Sequence, residues 1–514
     1  MTKRANARAR NWPQIYLGVG VTSLATLILE LALTRIFSVI FFYHFAFLAI
    51  SVALFGLGLG GVLSYVVAGW KGNFFSKLGG LAALNSLVLV GVLVLVLFLG
   101  SELRFWTLAV VYFASAVPFL LAGTVVSLAI ANGIERVHRI YFFDLLGAAA
   151  GCLLLIPLLN SLGGPGTVIV AASLFAFSSG VWFNLAAAPR RRNVTLALTL
   201  GLVLLAIFNC KSNTIDVKYA KGRALGSELF AQWNSFSRVT VIDNTNTKHL
   251  SIRIDGDADT GIATQDLAML SPASRRPVGP GMPYLIRPGA KTLIIGPGGG
   301  EDVSRALASG SRDVTGVEIN PIIASTIMQG RFAGYSQGIY LRPEVHIFVE
   351  DGRSFVRRSH EKYQVLQATL VDTWASTAAG AFALSENSLY TVEAFQDYLS
   401  HLTDDGIVAF SRWGFEPPRE SLRLISLAME ALERLGEREP WRHVIVAREG
   451  SDSLAGYDNC FAEALGAKRS YSGSHSVPKH SRETALSARR SPLESIRRTV
   501  AEPRPGAIPA KLSL

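Results

Sequence analysis

The chain contains little cysteine, and its cysteines are scattered. Cys152, Cys210 and Cys460 are the three cysteines in 514 residues, and none belongs to a Cys-x-x-Cys pair or a cluster with histidine. This pattern supports neither a disulfide framework nor a metal site built from thiolates. We therefore expect no metal cofactor.

Charged residues are also scarce, at 17% of the chain, whereas 50% is hydrophobic and the mean hydropathy is +0.34. That composition is too apolar for a single soluble protein, and the length leaves room for several domains. Much of the net charge of +11 lies near the N-terminus, between apolar segments and in the C-terminal region. Basic flanks of membrane spans explain this distribution, so we expect a lipid bilayer as a partner and no nucleic acid.

Hydropathy predicts a polytopic membrane domain over residues 1–210, with six to seven helices crossing a bacterial-type inner (plasma) membrane. Six apolar segments are long enough to span a bilayer: 15–33, 45–68, 78–100, 106–131, 140–159 and 167–188. A seventh segment, 194–208, is short. The glycines of Gly56-Leu-Gly-Leu-Gly-Gly61 predict close packing between helices.

Basic residues between these segments bear on the side of the membrane that the rest of the chain occupies. Four clusters fall before the first span or in alternate loops: Lys3 to Arg10, Lys71 with Lys77, Arg136 with Arg139, and Arg190 to Arg192. With six spans, the positive-inside rule places these clusters and the soluble region together in the cytoplasm. A seventh span would place the soluble region outside. That side is away from cytosolic cofactors, so we favour six spans, with 194–208 interfacial or partly inserted and the soluble region cytoplasmic.

Four ionisable residues lie within or near the predicted spans: Glu30, Arg35, His44 and Asp144. Charge inside a membrane is costly, so each is a hypothesis for a functional group. The structural alternative pairs Glu30 with Arg35 near a helix end and makes Asp144 the cap of a helix after Tyr141. Both interpretations stay open.

The soluble part is predicted to hold three regions. Residues 211–285 form a linker and a β-hairpin, whose strands 237–243 and 250–255 flank the turn residues 244–248. Residues 286–450 alternate strands and helices, with strands at 292–295, 314–317, 345–349, 365–371, 406–411 and 443–447. This is the pattern of a parallel α/β, Rossmann-like sheet of the methyltransferase type. Residues 451–514 form a basic tail that we expect to be disordered.

The first strand of this sheet ends in a glycine-rich turn. Gly296, Gly298, Gly299 and Gly300 follow the strand, and Glu301 opens a helical pattern. Such a turn lets a nucleotide-like ligand approach the backbone. A dinucleotide fingerprint would place a third glycine where Glu301 stands, and a carboxylate there disfavours a pyrophosphate. It suits a ligand with a positive amine or sulfonium.

Acidic residues also end the next three strands. Glu318 follows the second strand and is placed to accept both hydroxyls of a ribose. Asp351, with Gly352, follows the third and would lie near an adenine amino group. Asp372 follows the fourth. Ligands of open α/β sheets bind at the carboxyl ends of the strands, so we expect S-adenosylmethionine or decarboxylated S-adenosylmethionine as co-substrate.

Several sequence runs carry a resemblance to a known family. In the soluble part they are Gly298-Gly-Gly-Glu-Asp302, Val317-Glu-Ile-Asn-Pro321, Glu350-Asp-Gly-Arg353, Trp233-Asn-Ser-Phe-Ser-Arg238, Leu370-Val-Asp-Thr-Trp374, Leu389-Tyr-Thr391 and Phe410-Ser-Arg-Trp413. In the membrane part they are Glu30-Leu-Ala-Leu-Thr-Arg35 and Asp144-Leu-Leu-Gly147. The sequence here resembles the spermidine synthase (aminopropyltransferase) family, in particular its membrane-fused bacterial relatives.

The resemblance implies transfer of an aminopropyl group from decarboxylated S-adenosylmethionine to a small-molecule amine or other acceptor, as in polyamine biosynthesis. Asp372 matches the acid that takes the proton of the amine, and Glu301 would face the amine end of the ligands. Asp302, Trp374 and Tyr390 would contact the substrate. A homodimer is a further expectation.

Two alternatives stay open because the acceptor side departs from the family pattern. The family's second acid is replaced by Ala375, and its Tyr-His-Glu segment has no equivalent near residues 255–270. One alternative is a methyltransferase that uses S-adenosylmethionine. The other is a transporter or sensor whose soluble domain binds an adenosyl ligand for regulation. Charges in the spans favour the latter, whereas Asp372-Thr-Trp374 favours an enzyme.

Overall fold

The computed structural model describes residues 11–41, 46–100, 104–244, 249–264, 279–371, 388–412, 420–447 and 463–467. A bundle of long helices comes first in the chain, and a four-stranded and a seven-stranded sheet follow it. The fold class predicted from the sequence is confirmed: an α-helical part precedes an α/β part with a parallel core.

Among the described residues, six helices are long and apolar enough to cross a membrane. They are α1 Trp12–Ile40, α2 Ala46–Ala68, α3 Phe74–Leu99, α4 Phe105–Asn132, α5 Val137–Leu185 and α6 Pro189–Ser212. Proline at the start of α1 and α6 supplies a helical φ where no N–H donor is needed. In α3 the Asn73 side chain caps the helix by accepting from the Ser76 N–H at 3.2 Å.

Helix α5 is a hairpin of two helices. Gly163 breaks the 49-residue element with φ 69° and ψ 180°, a backbone conformation confined almost entirely to glycine. Gly147 in the first half lies against Gly20, and Gly164 after the break lies against Ile36, near the other end of α1. The second half then returns, so that Trp182 lies against Gly18. The two halves correspond to the spans predicted at 140–159 and 167–188.

Helix α6 is longer than the sequence predicted. Its 24 residues include the basic turn at its start and extend to Ser212, before Asn213 ends it in a left-handed conformation. At about 1.5 Å per residue, the helix is long enough for a hydrocarbon core of about 30 Å. Shortness was one reason to doubt that 194–208 crosses the membrane, and the length of α6 removes that reason.

Close packing at the glycines of α2 is confirmed. A Cβ at Gly56 would lie 2.5 Å from the Ala116 carbonyl oxygen, and one at Gly60 would lie 2.4 Å from that of Leu120. Both oxygens belong to α4. Larger residues at these two positions would therefore force α2 and α4 apart.

The predicted hairpin forms the centre of a four-stranded antiparallel sheet. Its strands are β3 Glu228–Trp233, β4 Arg238–Asn244, β5 His249–Ile254 and β6 Ala258–Gly261, paired in that order. Strands β1 Tyr219–Ala220 and β2 Arg223–Ala224 pair with each other inside the predicted linker. The outer strands β3 and β6 were not predicted.

The larger sheet has the order β12-β13-β11-β10-β7-β8-β9. Its strands are β7 Thr292–Ile295, β8 Val314–Glu318, β9 Val345–Val349, β10 Tyr363–Thr369, β11 Leu402–Ser411, β12 Val444–Ala447 and β13 Glu463–Ala467. The five strands from β11 to β9 run parallel. The chain passes from β7 outward to β9 and then returns to β10 on the other side of β7. The crevice at this reversal is where open α/β sheets bind ligands.

Helices cover this sheet and position the turns. They are α7 Met282–Ile286, α8 Glu301–Ala308, α9 Ile322–Arg331, α10 Gly352–Arg358, α11 Val392–Ser400 and α12 Glu420–Arg434, of which α9 is a π-helix. The short α7 lies within a stretch rich in proline and glycine, residues 271–288, whose composition predicts a loop. Its Tyr284 is buried and donates to Gln367 on β10 at 2.5 Å. That contact with a distant strand stabilises a helix that local sequence does not predict.

Strand β13 lies within the region predicted to be a disordered tail. It pairs antiparallel with both β11 and β12. Its run Glu463-Ala-Leu-Gly-Ala467 has too little alternation to predict a strand. The pairing is available because β11 presents an open edge at that point in the sheet. The other residues of the predicted tail lie outside the described part of the chain.

Candidate functional site

The glycine turn lies between β7 and α8, at the reversal of strand order. All four residues of β7 are buried, and Gly296, Gly298 and Gly300 have φ of 67°, 50° and 89°. A Cβ at Gly299 would lie 1.8 Å from the carbonyl oxygen of Gly261 on β6. Glycine is thus favoured here for two different reasons. Positions such as Gly300 need its backbone conformation, and Gly299 needs the absence of a side chain because another strand approaches closely.

Glu318 ends β8 and contacts the glycine turn directly. Its Oε2 accepts from the Gly298 N–H at 3.2 Å, and its Oε1 accepts from the Asn320 N–H at 3.0 Å. Burial raises the pKa of this carboxyl above its ordinary value of 4.5, and the backbone donors oppose that shift. Each carboxylate oxygen has two lone pairs, so each can still accept a second donor.

Two site residues that the sequence analysis did not single out hold this arrangement in place. Tyr340 donates its hydroxyl to the Gly298 carbonyl at 2.8 Å, and burial raises its pKa well above 10.0. Asn320 donates to Ser237 at 2.8 Å and accepts from Asn234 at 2.8 Å. Asn320 stands inside the quoted run after β8, so sequence could have indicated it. Tyr340 carries no such signal.

Glu301 and Asp302 begin α8 and share one cation. Arg305 donates to Asp302 at 2.5 Å and to Glu301 at 3.3 Å. Asp302 is buried, whereas the Glu301 side chain is 42% exposed. Burial lowers the pKa of Arg305, but the two carboxylates raise it more and keep it charged. Asp302 is thus engaged within α8, and Glu301 is the more accessible acid.

Asp351 and Gly352 follow β9, at the carboxyl ends of the strands where Glu318 also lies. Asp351 caps α10, since its Oδ1 accepts from the Ser354 N–H at 2.8 Å. The cap engages Oδ1, and both oxygens of this carboxylate retain a lone pair for a further donor. A Cβ at Gly352 would lie 2.5 Å from Ile295 Cγ2, so this glycine allows the close approach of α10 to β7.

The end of β10 is held against the glycine turn. The Val371 carbonyl accepts from the Tyr390 hydroxyl at 2.9 Å and from Arg412 at 3.1 Å. Val371 also packs against Gly296, and Leu370 before it has φ 46°, a costly conformation for leucine. Tyr390 therefore holds the backbone next to position 372. Asp372 and Trp374 themselves lie outside the described residues.

Two of the four ionisable residues singled out in the helical part have contacts that the structure identifies. Arg35 donates to Asp255, after β5, at 3.4 Å, so its ionic partner is not Glu30, the partner that the structural alternative gave it. Asp144 accepts from Ser23 of α1. Asp144 lies inside α5, which begins at Val137, so it does not cap that helix. His44 lies outside the described residues. Burial raises the pKa of Asp255, and Arg35 opposes the shift.

The structure therefore brings together the glycine turn, Glu318, Asp351 and the end of β10, as the strand pattern predicted. Among the described residues, no group of three or more histidine, cysteine, aspartate or glutamate side chains could hold a metal ion. The crevice offers hydrogen-bond acceptors for hydroxyls and carboxylates for a cation. These groups suit a nucleoside that lacks phosphate and bears a positively charged substituent.

Comparisons with known proteins yielded structural neighbours only. No family model and no curated protein matches the chain. A spermidine synthase from Thermotoga maritima is 15% identical, with a TM-score of 0.35, and the alignment covers 48% of this chain and 74% of that one. A spermidine synthase in complex with the transition state analogue AdoDATO is 15% identical, with a TM-score of 0.33 and coverages of 48% and 73%. These values are too low to carry either activity over to this chain.

Proposed function

We propose that the chain is a membrane-anchored, spermidine synthase-like transferase that moves an aminopropyl group from decarboxylated S-adenosylmethionine to an amine. The observation that carries this proposal is the buried Glu318, held by the N–H of the glycine turn. Its remaining lone pairs suit the two hydroxyls of a ribose. Asp351, at the next strand end, would serve the adenine.

The charge of the crevice supports a cationic donor. Glu301 lies in the first turn of α8, where a nucleotide-binding fold places phosphate. Its carboxylate would repel a pyrophosphate but attract a sulfonium or an ammonium group. Arg305 offsets part of this charge, and the exposed fraction of Glu301 leaves it available to a ligand.

The proposed reaction is a displacement at the aminopropyl carbon that is bonded to the sulfonium sulfur. The amine nitrogen forms a bond to that carbon, and the C–S bond breaks with its electron pair passing to sulfur. The sulfonium becomes the neutral thioether methylthioadenosine, and the new ammonium product loses its proton to Asp372. Orientation of the amine by Asp372 would lower the barrier further.

Product analysis tests the reaction. Purified full-length protein is incubated with decarboxylated S-adenosylmethionine plus a diamine, and separately with S-adenosylmethionine. We expect methylthioadenosine with the first donor. Asp372→Asn should reduce its formation by about 10²-fold or more, the usual range for loss of a general base. Donor binding should persist in this variant, and Glu433→Gln, on the exposed face of α12, serves as the matched control.

Other outcomes would replace the proposal. Release of S-adenosylhomocysteine would make the protein a methyltransferase. Tight donor binding with neither product would favour a transporter or sensor with a regulatory adenosyl site. Full activity of Asp372→Asn would remove Asp372 from the chemistry.

A further inference from the structure

The two ends of the helical bundle differ in what they contact. At one end, the loops 69–73, 133–136 and 186–188 lie near the start of α1. Lys77 donates to the Val67 and Ala68 carbonyls at 3.1 and 3.2 Å. The Arg136 guanidinium lies 4.7 Å from the Trp12 ring centroid, and Arg191 donates to Ser76 at 3.0 Å. We call this the basic end.

The other end of the bundle contacts the sheets. The N–H of Lys221, between β1 and β2, donates to Ile40, the last residue of α1, at 2.6 Å. The N–H of Ser235, after β3, donates to Asn160 in the α5 hairpin at 2.8 Å. Cys210, near the end of α6, donates to the Ser161 carbonyl at 3.0 Å. We call this the sheet end.

Seven helical segments connect the two ends when the halves of α5 are counted separately. Helix α1 leaves the basic end, and α6 arrives at the sheet end. With 29 residues at about 1.5 Å each, α1 is longer than a hydrocarbon core of about 30 Å. A membrane around this bundle therefore separates the basic end from both sheets.

Cationic residues are concentrated at the basic end. Seven described ones lie there: Lys71, Lys77, Arg136, Arg139, Arg190, Arg191 and Arg192. In the sequence, Lys3, Arg4, Arg8 and Arg10 precede α1, which starts at this end. Fewer cationic residues lie at the sheet end. In its described loops and in the chain from residue 211 to residue 223, they are Arg104, Lys211, Lys218, Lys221 and Arg223.

We infer that the basic end lies against the anionic headgroups of the cytoplasmic leaflet, so that both sheets lie on the external side. Loops rich in lysine and arginine stay in the cytoplasm, and the basic residues that flank the first helix usually dominate the orientation of the whole protein. Anionic lipids of that leaflet attract the same side chains. Because α6 is long enough to cross the membrane, the bundle crosses it seven times. An odd number of crossings places the start of α1 and the sheets on opposite sides.

This orientation reverses the one favoured from the sequence and goes beyond the proposed reaction. The crevice around Glu318 would open on the external side, so both its ligands would have to be present there. An adenosyl compound and an amine would reach it by export or from the surroundings. The side of the membrane on which the sheets lie is measured without any enzymatic assay. The proposed reaction and the proposed orientation can therefore fail separately.

Cysteine labelling in intact cells tests the orientation. In the full chain with Cys152, Cys210 and Cys460 changed to serine, single cysteines are introduced as Lys71→Cys at the basic end and Arg312→Cys in the sheet part. Both positions are exposed. The probe is a membrane-impermeant maleimide, applied to spheroplasts before and after lysis. We expect Arg312→Cys to react before lysis and Lys71→Cys only after it.

A second pair of single-cysteine variants controls for local effects of the first substitutions on folding. Glu135→Cys reports on the basic end and Glu433→Cys on the sheet part, and both native residues are exposed. All four cysteines should react in detergent, which shows that each is accessible. Reaction of either basic-end cysteine before lysis, or of the sheet-part cysteines only after lysis, would overturn the inference.

Discussion

At the scale of single residues, the candidate site depends on one buried carboxyl. Glu318 combines contacts to the glycine turn with a pKa above 4.5 caused by burial. A raised pKa means that folding favours the neutral form. The stability this residue contributes is therefore fully present below pH 4.5 and is lost as pH rises through the folded pKa.

Ligand binding should depend on pH in the opposite direction. Ribose hydroxyls donate more strongly to an ionised carboxylate, so affinity for methylthioadenosine should rise with pH through the folded pKa of Glu318. Glu318→Gln should bind more weakly by about tenfold to hundredfold, the range for a hydrogen bond to a charged group, and without this pH dependence. Calorimetric titration at a series of pH values above 4.5, the direction in which burial moves this pKa, measures both. An unchanged slope in the variant would exclude Glu318 as the titrating group.

At the scale of elements, the α5 hairpin depends on a single glycine. Gly163 has φ 69° and ψ 180°, and a Cβ there would lie 2.7 Å from Trp233 Cδ1 on β3. The same residue thus turns the chain between two long helices and makes room for an aromatic ring of the sheet part. Periodicity shows the two helices but not this contact.

Gly163→Ala should lower the thermal stability of the detergent-solubilised protein. Backbone strain of this kind costs about 1 to 3 kcal/mol, before any clash with Trp233. The matched control is Gly201→Ala, on α6, where a Cβ would meet no atom of the described structure within 4 Å. There alanine should stabilise the helix by up to about 1 kcal/mol. Equal melting temperatures for the two variants would contradict the role assigned to Gly163.

At the scale of the whole molecule, an ionic cluster helps to join the helical bundle to the four-stranded sheet. Arg238 on β4 is buried and donates to Asp216 after α6 at 2.7 Å and to Glu228 on β3 at 2.7 Å. Burial acts to lower the pKa of Arg238, but the two carboxylates raise it above its ordinary value. The cation therefore stays charged and is satisfied by two segments at once.

Arg238→Met should destabilise the protein strongly, because it leaves two partly buried carboxylates without their cation. Breaking a buried ionic cluster costs about 3 to 5 kcal/mol. The control is Arg253→Met on the adjacent strand β5, whose pairing with Asp259 is partly exposed. Exposed pairs are worth about 1 kcal/mol or less. Thermal unfolding compares the two, and a similar loss in both would show that burial of Arg238 matters little.

Much of the α/β part could be predicted from local sequence. The bounds of β7 and β9 agree with the prediction, and β8 and β11 extend it by one and four residues. Short apolar runs that end in glycine or acid are sufficient here, because buried parallel strands need no distant partner to be recognised. The candidate positions Glu318 and Asp351 follow from the same signal.

Other features depend on residues far apart in the chain. Arg35 pairs with Asp255, 220 positions away, whereas local sequence offered Glu30 as one possible partner. Tyr340 reaches Gly298 across 42 positions. No periodicity carries such information, since the contact exists only after strands and helices have packed.

Local sequence is sufficient to locate the helical segments, though not the full length of α6, and to locate the parallel strands and the acids at their ends, because each depends on neighbouring residues. Tertiary structure alone decided where β13 pairs, how Gly163 folds α5 back and how closely Glu318 approaches the glycine turn. It also brought the basic loops together at the end remote from the sheets. Those outcomes arise from packing between distant segments, where shape and hydrogen bonding choose among partners that local sequence leaves open.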